Sequence, residues 1–180
     1  MLKMIVGIDP GVNGSLAALV DGRLAIWDLK PCYKTTGTFN SIDPEAFIKF
    51  AAEAIPYRYE PEEVAVFIEE SLTLHNTAQK TLRSTYDSRG VMRALFYPRG
   101  FAVRFVLPCH WQKHFGLKKI KGESPQERKE RSVEHACFLF PEQRELFSRP
   151  KRGGGVKLLD GRAEAALIAS YGAVLAASMF

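Results

Sequence analysis

Short apolar runs cut by turn residues organise the first third of the chain. Leu2 to Asp9 carries Ile5, Val6 and Ile8, a β-branched run that reads as a buried strand ending on a carboxylate. Pro10-Gly11 and Asn13-Gly14 turn the chain back. A second strand, Ser15 to Val20, then meets a third, Leu24 to Trp27, through Asp21-Gly22, a strong hairpin signal. Pro31 to Ser41 is polar, with three threonines, and reads as a loop. Asp43-Pro44 opens a helix, Asp as cap and Pro in the first turn. Phe47, Ile48, Phe50, Ala51, Ala54 and Ile55 form its apolar stripe, and Pro56 closes it.

The pattern changes at Val64. Val64 to Ile68 lacks the polar alternation of a half-exposed strand, so a strand covered on both faces is predicted, as in a parallel sheet. It too ends on acid, Glu69-Glu70. Asn76 to Tyr97 has helical spacing, and Gly90 inside it predicts close packing against a helix of this or a second subunit. Phe101 to Leu107 is a fifth apolar strand, stopped by Pro108. Ser124-Pro125-Gln126-Glu127 is a capping box that opens a helix to about Phe140. Pro141 to Lys157, with Gly153-Gly154-Gly155, is predicted as a mobile basic loop. From Gly161 a run rich in alanine predicts a last helix, buried against the sheet. The fold class is therefore α/β: a five-stranded mixed sheet, three antiparallel strands and then two parallel ones, flanked by helices.

Composition narrows the class. The 180 residues suit one domain with a full core, and 46% are hydrophobic, the share of an ordinary globular protein. No apolar run is long enough to span a membrane, and the N-terminus lacks a signal-peptide layout, so a cytoplasmic protein is expected. Cys32, Cys109 and Cys137 are scattered and odd in number, which argues against a disulfide framework. The net charge of +5 favours a polyanionic partner. The basic residues crowd between Lys113 and Arg152, and Lys113, Lys118, Lys119, Lys121, Arg149, Lys151 and Arg152 are the candidate nucleic-acid contacts. His110 and His114 stand one helical turn apart without the neighbouring Glu of a zinc protease, and read as a surface or phosphate-facing pair. Trp111 and Phe115 read as core.

Two strands that end on acid, lying parallel, put their carboxylates on one edge of the sheet, where open α/β sheets bind ligands. Asp160 at the start of the last helix and Glu164 four residues on face the same way. Acids at the head of a buried helix are costly unless solvated, paired or bound to metal. A helix cap with Arg162 as partner is the plainer explanation.

Gly7-Ile8-Asp9-Pro10-Gly11, Ile68-Glu69 and Asp160-Gly161-Arg162-Ala163-Glu164-Ala165 together resemble RuvC-like Holliday junction resolvases of the ribonuclease H-like superfamily, and the last block resembles their phage-like branch. The resemblance runs from Met4 to Tyr171 and includes Ser88-Arg89-Gly90. It implies a homodimer that cuts four-way DNA junctions by paired symmetric nicks, leaving 5′-phosphates. It also implies two magnesium ions per subunit, with manganese as a substitute, held by Asp9, Glu69, Asp160 and Glu164 as metal ligands and catalytic residues. Carboxylates are the ligands magnesium prefers, and a metal pair can activate water and stabilise the leaving oxygen. Two departures stand out. The helix acids of typical bacterial members are three apart, whereas here Gly161 takes the nearer place; and Leu72 stands where many members carry an aromatic wedge. Glu70 remains an alternative to Glu69. Other readings are a nuclease of other branched DNA, a nucleotide-binding phosphotransferase of actin-like fold, and a non-catalytic DNA-binding relative.

Overall fold

The computed structural model describes residues 2–36, 39–70 and 79–178. The chain opens with three strands, β1 (Met4–Ile8), β2 (Ser15–Val20) and β3 (Arg23–Asp28), paired antiparallel in sequence. Asp21 and Gly22, both at positive φ (49° and 77°), make the tight β2–β3 turn. A small hairpin follows, β4 (Tyr33–Thr36) with β5 (Phe39–Ile42), and then helix α1 (Pro44–Ala54). Asp43 caps α1 by accepting from the backbone N–H groups of Glu45 and Ala46. Next come β6 (Val64–Glu69), α2 (Gln79–Phe96), β7 (Ala102–Val106), the short α3 (Pro108–His114) and α4 (Pro125–Leu139). A second hairpin, β8 (Ser148–Pro150) with β9 (Val156–Leu158), leads into the last helix, α5 (Asp160–Ala177).

The main sheet has the order β3-β2-β1-β6-β7, and β1, β6 and β7 run parallel. Alternation along these strands divides the core into two layers. Val6, Ile8, Val66 and Ile68 pack with α1 and α2 residues such as Phe47, Met92 and Phe96. Ile5, Ala65 and Phe67 pack with Trp111 of α3, Ala136 of α4 and the alanine-rich face of α5. Both strand faces are covered, which is why Val64 to Ile68 shows no polar alternation. Among the described residues no helix is long and apolar enough to cross a membrane.

Four local expectations are corrected. Pro31 to Ser41 is not a loop throughout: Cys32 and Ile42 sink into the core and anchor the hairpin between them. Pro141 to Lys157 is a 3-10 segment followed by the β8–β9 hairpin. The three glycines there take positive φ at its tip, closed by the N–H of Lys151 donating to the Gly155 carbonyl. For Gly90 only the packing within this subunit is corrected: a Cβ built on it meets no atom of this chain within 4 Å among the described residues. Ile48, placed in the stripe of α1, is 47% exposed. The expected helix start at Asn76 and the wedge position Leu72 lie outside the described residues.

Candidate active site

Register brings the first two acids together. Ile8 of β1 lies opposite Ile68 of β6, so the next residue of each strand, Asp9 and Glu69, leaves the sheet at the same edge. Adjacent strands are only about 4.8 Å apart. Alternation sends both side chains to one face: Ile5 and Gly7 precede Asp9 on the α5 side, as Ala65 and Phe67 precede Glu69. Glu70 falls on the opposite face, where the guanidinium of Arg89 on α2 holds its carboxylate at 2.5 Å. Parity along the strand thus separates Glu69 from Glu70, and that signal was present in the sequence.

Two glycines let α5 reach the site, and a third, Gly14, closes the turn beneath it. A Cβ on Gly7 would stand 2.3 Å from both the Ala165 carbonyl oxygen and the Ala169 nitrogen, so the helix rests directly on the β1 backbone. A Cβ on Gly161 would come within 2.2 Å of the Asn13 carbonyl oxygen, and one on Gly14 within 2.0 Å of that of Asp9. The head of α5 therefore abuts the turn that follows Asp9. An acid at 161, three residues before Glu164, has no room on this backbone. The four-residue spacing is the one this docking allows.

The carboxylates share one electrostatic neighbourhood. Protein atoms displace most of the water around Asp9, and Glu164, Glu69 and Asp160 then repel its charge; together they hold its carboxyl well above the usual range. Burial, with Glu69 and Asp160, pushes the Glu164 carboxyl up to about 7. Burial also raises Glu69, against the opposing hydrogen bond from Trp111. Among the described residues no three His, Cys, Asp or Glu side chains are gathered closely enough to enclose a metal ion as they stand. The acids are neighbours but not yet one coordination sphere.

Sequence reasoning missed two groups. Trp111 is fully buried, as expected of core, yet its Nε1–H donates to Glu69 Oε2 at 2.8 Å and fixes that carboxylate. Lys129 of α4 reaches Asp160, Nζ to Oδ2 2.7 Å, and its ammonium also feels Glu164 and Asp9, which raises its pKa. The charge of Arg128 beside it offsets a small part of the rise at Glu69 and Glu164. A lysine in the first turns of a strongly charged helix gives no sequence signal of this role. Arg162 is not the partner of the helix acids. It forks onto Asp28, Nε to Oδ1 2.7 Å and Nη2 to Oδ2 2.9 Å, tying α5 to β3 and holding the Asp28 carboxyl below its usual range.

The basic candidates are all exposed and fall in two groups. Lys113 lies on α3, and Lys118, Lys119 and Lys121 lie in the loop after it. Arg149, Lys151 and Arg152 lie on β8 and the hairpin tip, next to the head of α5, where the Leu159 N–H donates to the Phe147 carbonyl. His110 and His114 are exposed, and His114 packs beside Phe115 and Tyr171.

No protein-family model and no curated protein matches the chain. Solved structures do. The chain is similar to T. thermophilus RuvC in complex with Holliday junction substrate, at 14% identity and a TM-score of 0.55, covering 97% of this chain and 96% of that one. A second Thermus thermophilus RuvC structure gives 13% identity and a TM-score of 0.48, with 96% of each chain covered. The chain thus has the RuvC-like, ribonuclease H-like α/β fold.

Proposed function

We propose that the protein is a structure-selective DNA endonuclease that resolves four-way junctions by paired nicks, leaving 5′-phosphate ends. One observation supports the reading: four carboxylates from three separate segments lie in one electrostatic neighbourhood at the carboxyl edge of parallel strands, and Asp9, Glu69 and Glu164 are all harder to ionise than usual. Such an arrangement calls for a cation. The RuvC structure of the same fold, solved with a Holliday junction, supports branched DNA as substrate, and the exposed lysines and arginines of α3, the loop after it and the β8–β9 hairpin supply the charge to hold it. The phage-like branch, a homodimer with its two sites across a two-fold axis, and other branched DNA as a further substrate belong to the same reading.

The donor chemistry fits a hard divalent ion, because every candidate ligand is a carboxylate oxygen. Asp9, Glu69, Asp160 and Glu164 would hold magnesium, two ions per subunit, with manganese able to substitute. When bound, the ions supply Lewis-acid stabilisation of charge on the scissile phosphate and a more acidic water. The chain's own groups do the rest. Trp111 orients Glu69, and Lys129 offers its ammonium to negative charge beside Asp160.

The test is incubation with labelled four-way, forked and linear DNA, with and without magnesium or manganese. Metal-dependent paired nicks in the junction are expected; metal-independent or linear-only cutting would overturn the reading. Trp111→Phe should keep the fold and lower the nicking rate about tenfold, the usual cost of losing a group that orients a ligand. A rate within a factor of about two of wild type would show that Glu69 needs no such hold.

Stability should report the crowded acids directly. A carboxyl raised to about 7 in the folded state contributes stability below the ordinary Glu value of 4.5, and that stability is lost as pH rises through about 7. The melting temperature in chelator is therefore expected to be higher for Glu164→Gln than for wild type at pH 8, by roughly 5 °C, and the gap should vanish near pH 4.5. Equal melting curves at both pH values would refute the repulsion.

A further inference from the structure

The loop between α3 and α4 is built to present its tip. It leaves α3 through Gly116 at φ 68° and approaches α4 through Gly122 at φ 86°. Arg131 of α4 clasps it from inside. Its Nε and Nη2 bind the two oxygens of Glu123 at 2.6 and 3.2 Å, Nη2 donates to the Lys118 carbonyl at 2.9 Å, and Nη1 donates to the Gly116 carbonyl at 3.3 Å. The Glu123 side chain is only 6% exposed, and its Oε2 also accepts from the Ile120 N–H. The Glu123 N–H returns a bond to the Ile120 carbonyl at 3.1 Å. Leu117 is buried at the base.

At the tip of this clasped loop stands Ile120, 55% exposed, in the run Lys118-Lys119-Ile120-Lys121 with all three lysines exposed. A β-branched side chain left more than half exposed gains little from folding. Three ammonium groups around it exclude an apolar protein surface or a lipid interior as its natural cover and favour a polyanion. The loop also starts from the helix whose Trp111 holds Glu69, and Arg128 acts on both Glu123 and Glu69. The tip is therefore carried on the element next to the acids. Isoleucine is among the apolar side chains that DNA-bending proteins insert between base steps to unstack them.

We infer that Ile120 is the residue that opens the base stack of bound branched DNA, while Lys118, Lys119 and Lys121 grip the flanking phosphates. This rests on branched DNA being the substrate. It supplies an apolar wedge on a different element from Leu72, the position without an aromatic ring.

The experiment uses junctions with 2-aminopurine placed in the base pairs beside the crossover, bound in chelator so that no strand is cut. Wild type is expected to raise the fluorescence several-fold. Ile120→Ser should lose at least half of that rise while junction affinity stays within about threefold, and Ile120→Leu should keep it. Changing the three lysines to alanine should weaken binding and flatten the slope of log affinity against log salt by roughly 0.9 for each phosphate released. A full fluorescence rise with Ile120→Ser on a tightly bound junction overturns this inference and leaves the nuclease reading standing. A wild-type protein that binds the junction no better than linear duplex overturns both.

Discussion

Asp9→Asn is expected to bind a four-way junction at least as well as wild type and to nick it more than about 100-fold more slowly in magnesium. The two halves of that result have one cause. Asp9 is buried among Glu164, Glu69 and Asp160, and burial and all three charges oppose its ionisation. The amide keeps the shape and removes the charge, so repulsion falls and a DNA phosphate meets less negative potential. The same change deletes an anionic oxygen from the set proposed to hold the cation, and carboxylate charge is what a hard ion requires. Binding is measured by gel shift in chelator, cleavage by single-turnover kinetics with saturating protein. Cleavage at the wild-type rate would mean that the assigned residues are not the reacting centre; loss of binding with loss of cleavage would point to a structural role for Asp9.

Gly7→Ala is expected to lower stability by at least about 3 kcal/mol, or about 10 °C in melting temperature for a chain of this size. The added methyl meets backbone on both sides, the Ala165 carbonyl and the Ala169 nitrogen at 2.3 Å, and neither can swing aside as a long side chain would. To admit it, α5 must lift from β1, which opens the layer containing Ala166, Leu167 and Ile168 and separates Glu164 from Asp9. Gly11→Ala is the control: nothing lies within 4 Å of its Cβ, and the change should cost about 0.5 kcal/mol or less. Denaturant midpoints for the two variants decide the matter, and equal values would show that the helix does not depend on close contact with the strand.

Much of this was legible in the chain itself, for physical reasons. The strands that end at Asp9 and Glu69 are buried on both faces, so their apolar runs are continuous and bounded by turn residues. The helix from Asp160 is dense in alanine because it lies against backbone. The two small hairpins were not legible: Tyr33–Ile42 is anchored at its ends, by Cys32 and Ile42 in the core and by Tyr33 against Ser88, and Ser148–Leu158 is largely exposed, so neither needs an apolar rhythm. Gly90 could not be placed from the sequence, because a glycine in a helix has the same letter whether or not it admits a neighbour, and within this chain it meets none. Trp111 and Lys129 were hidden for another reason. A buried indole that also donates a hydrogen bond, and a surface lysine that also meets an acid, are distinguished only by what the fold brings opposite them.

The contact between Gly161 and the Asn13 carbonyl reaches beyond this chain. It makes the interval between the helix acids and the height of the helix above the first turn a single variable. On this backbone an acid at the nearer position requires the helix head and the Asn13 turn to move apart. Searches that demand one fixed interval would then pass over chains that solve the same problem with a lower helix and a longer step.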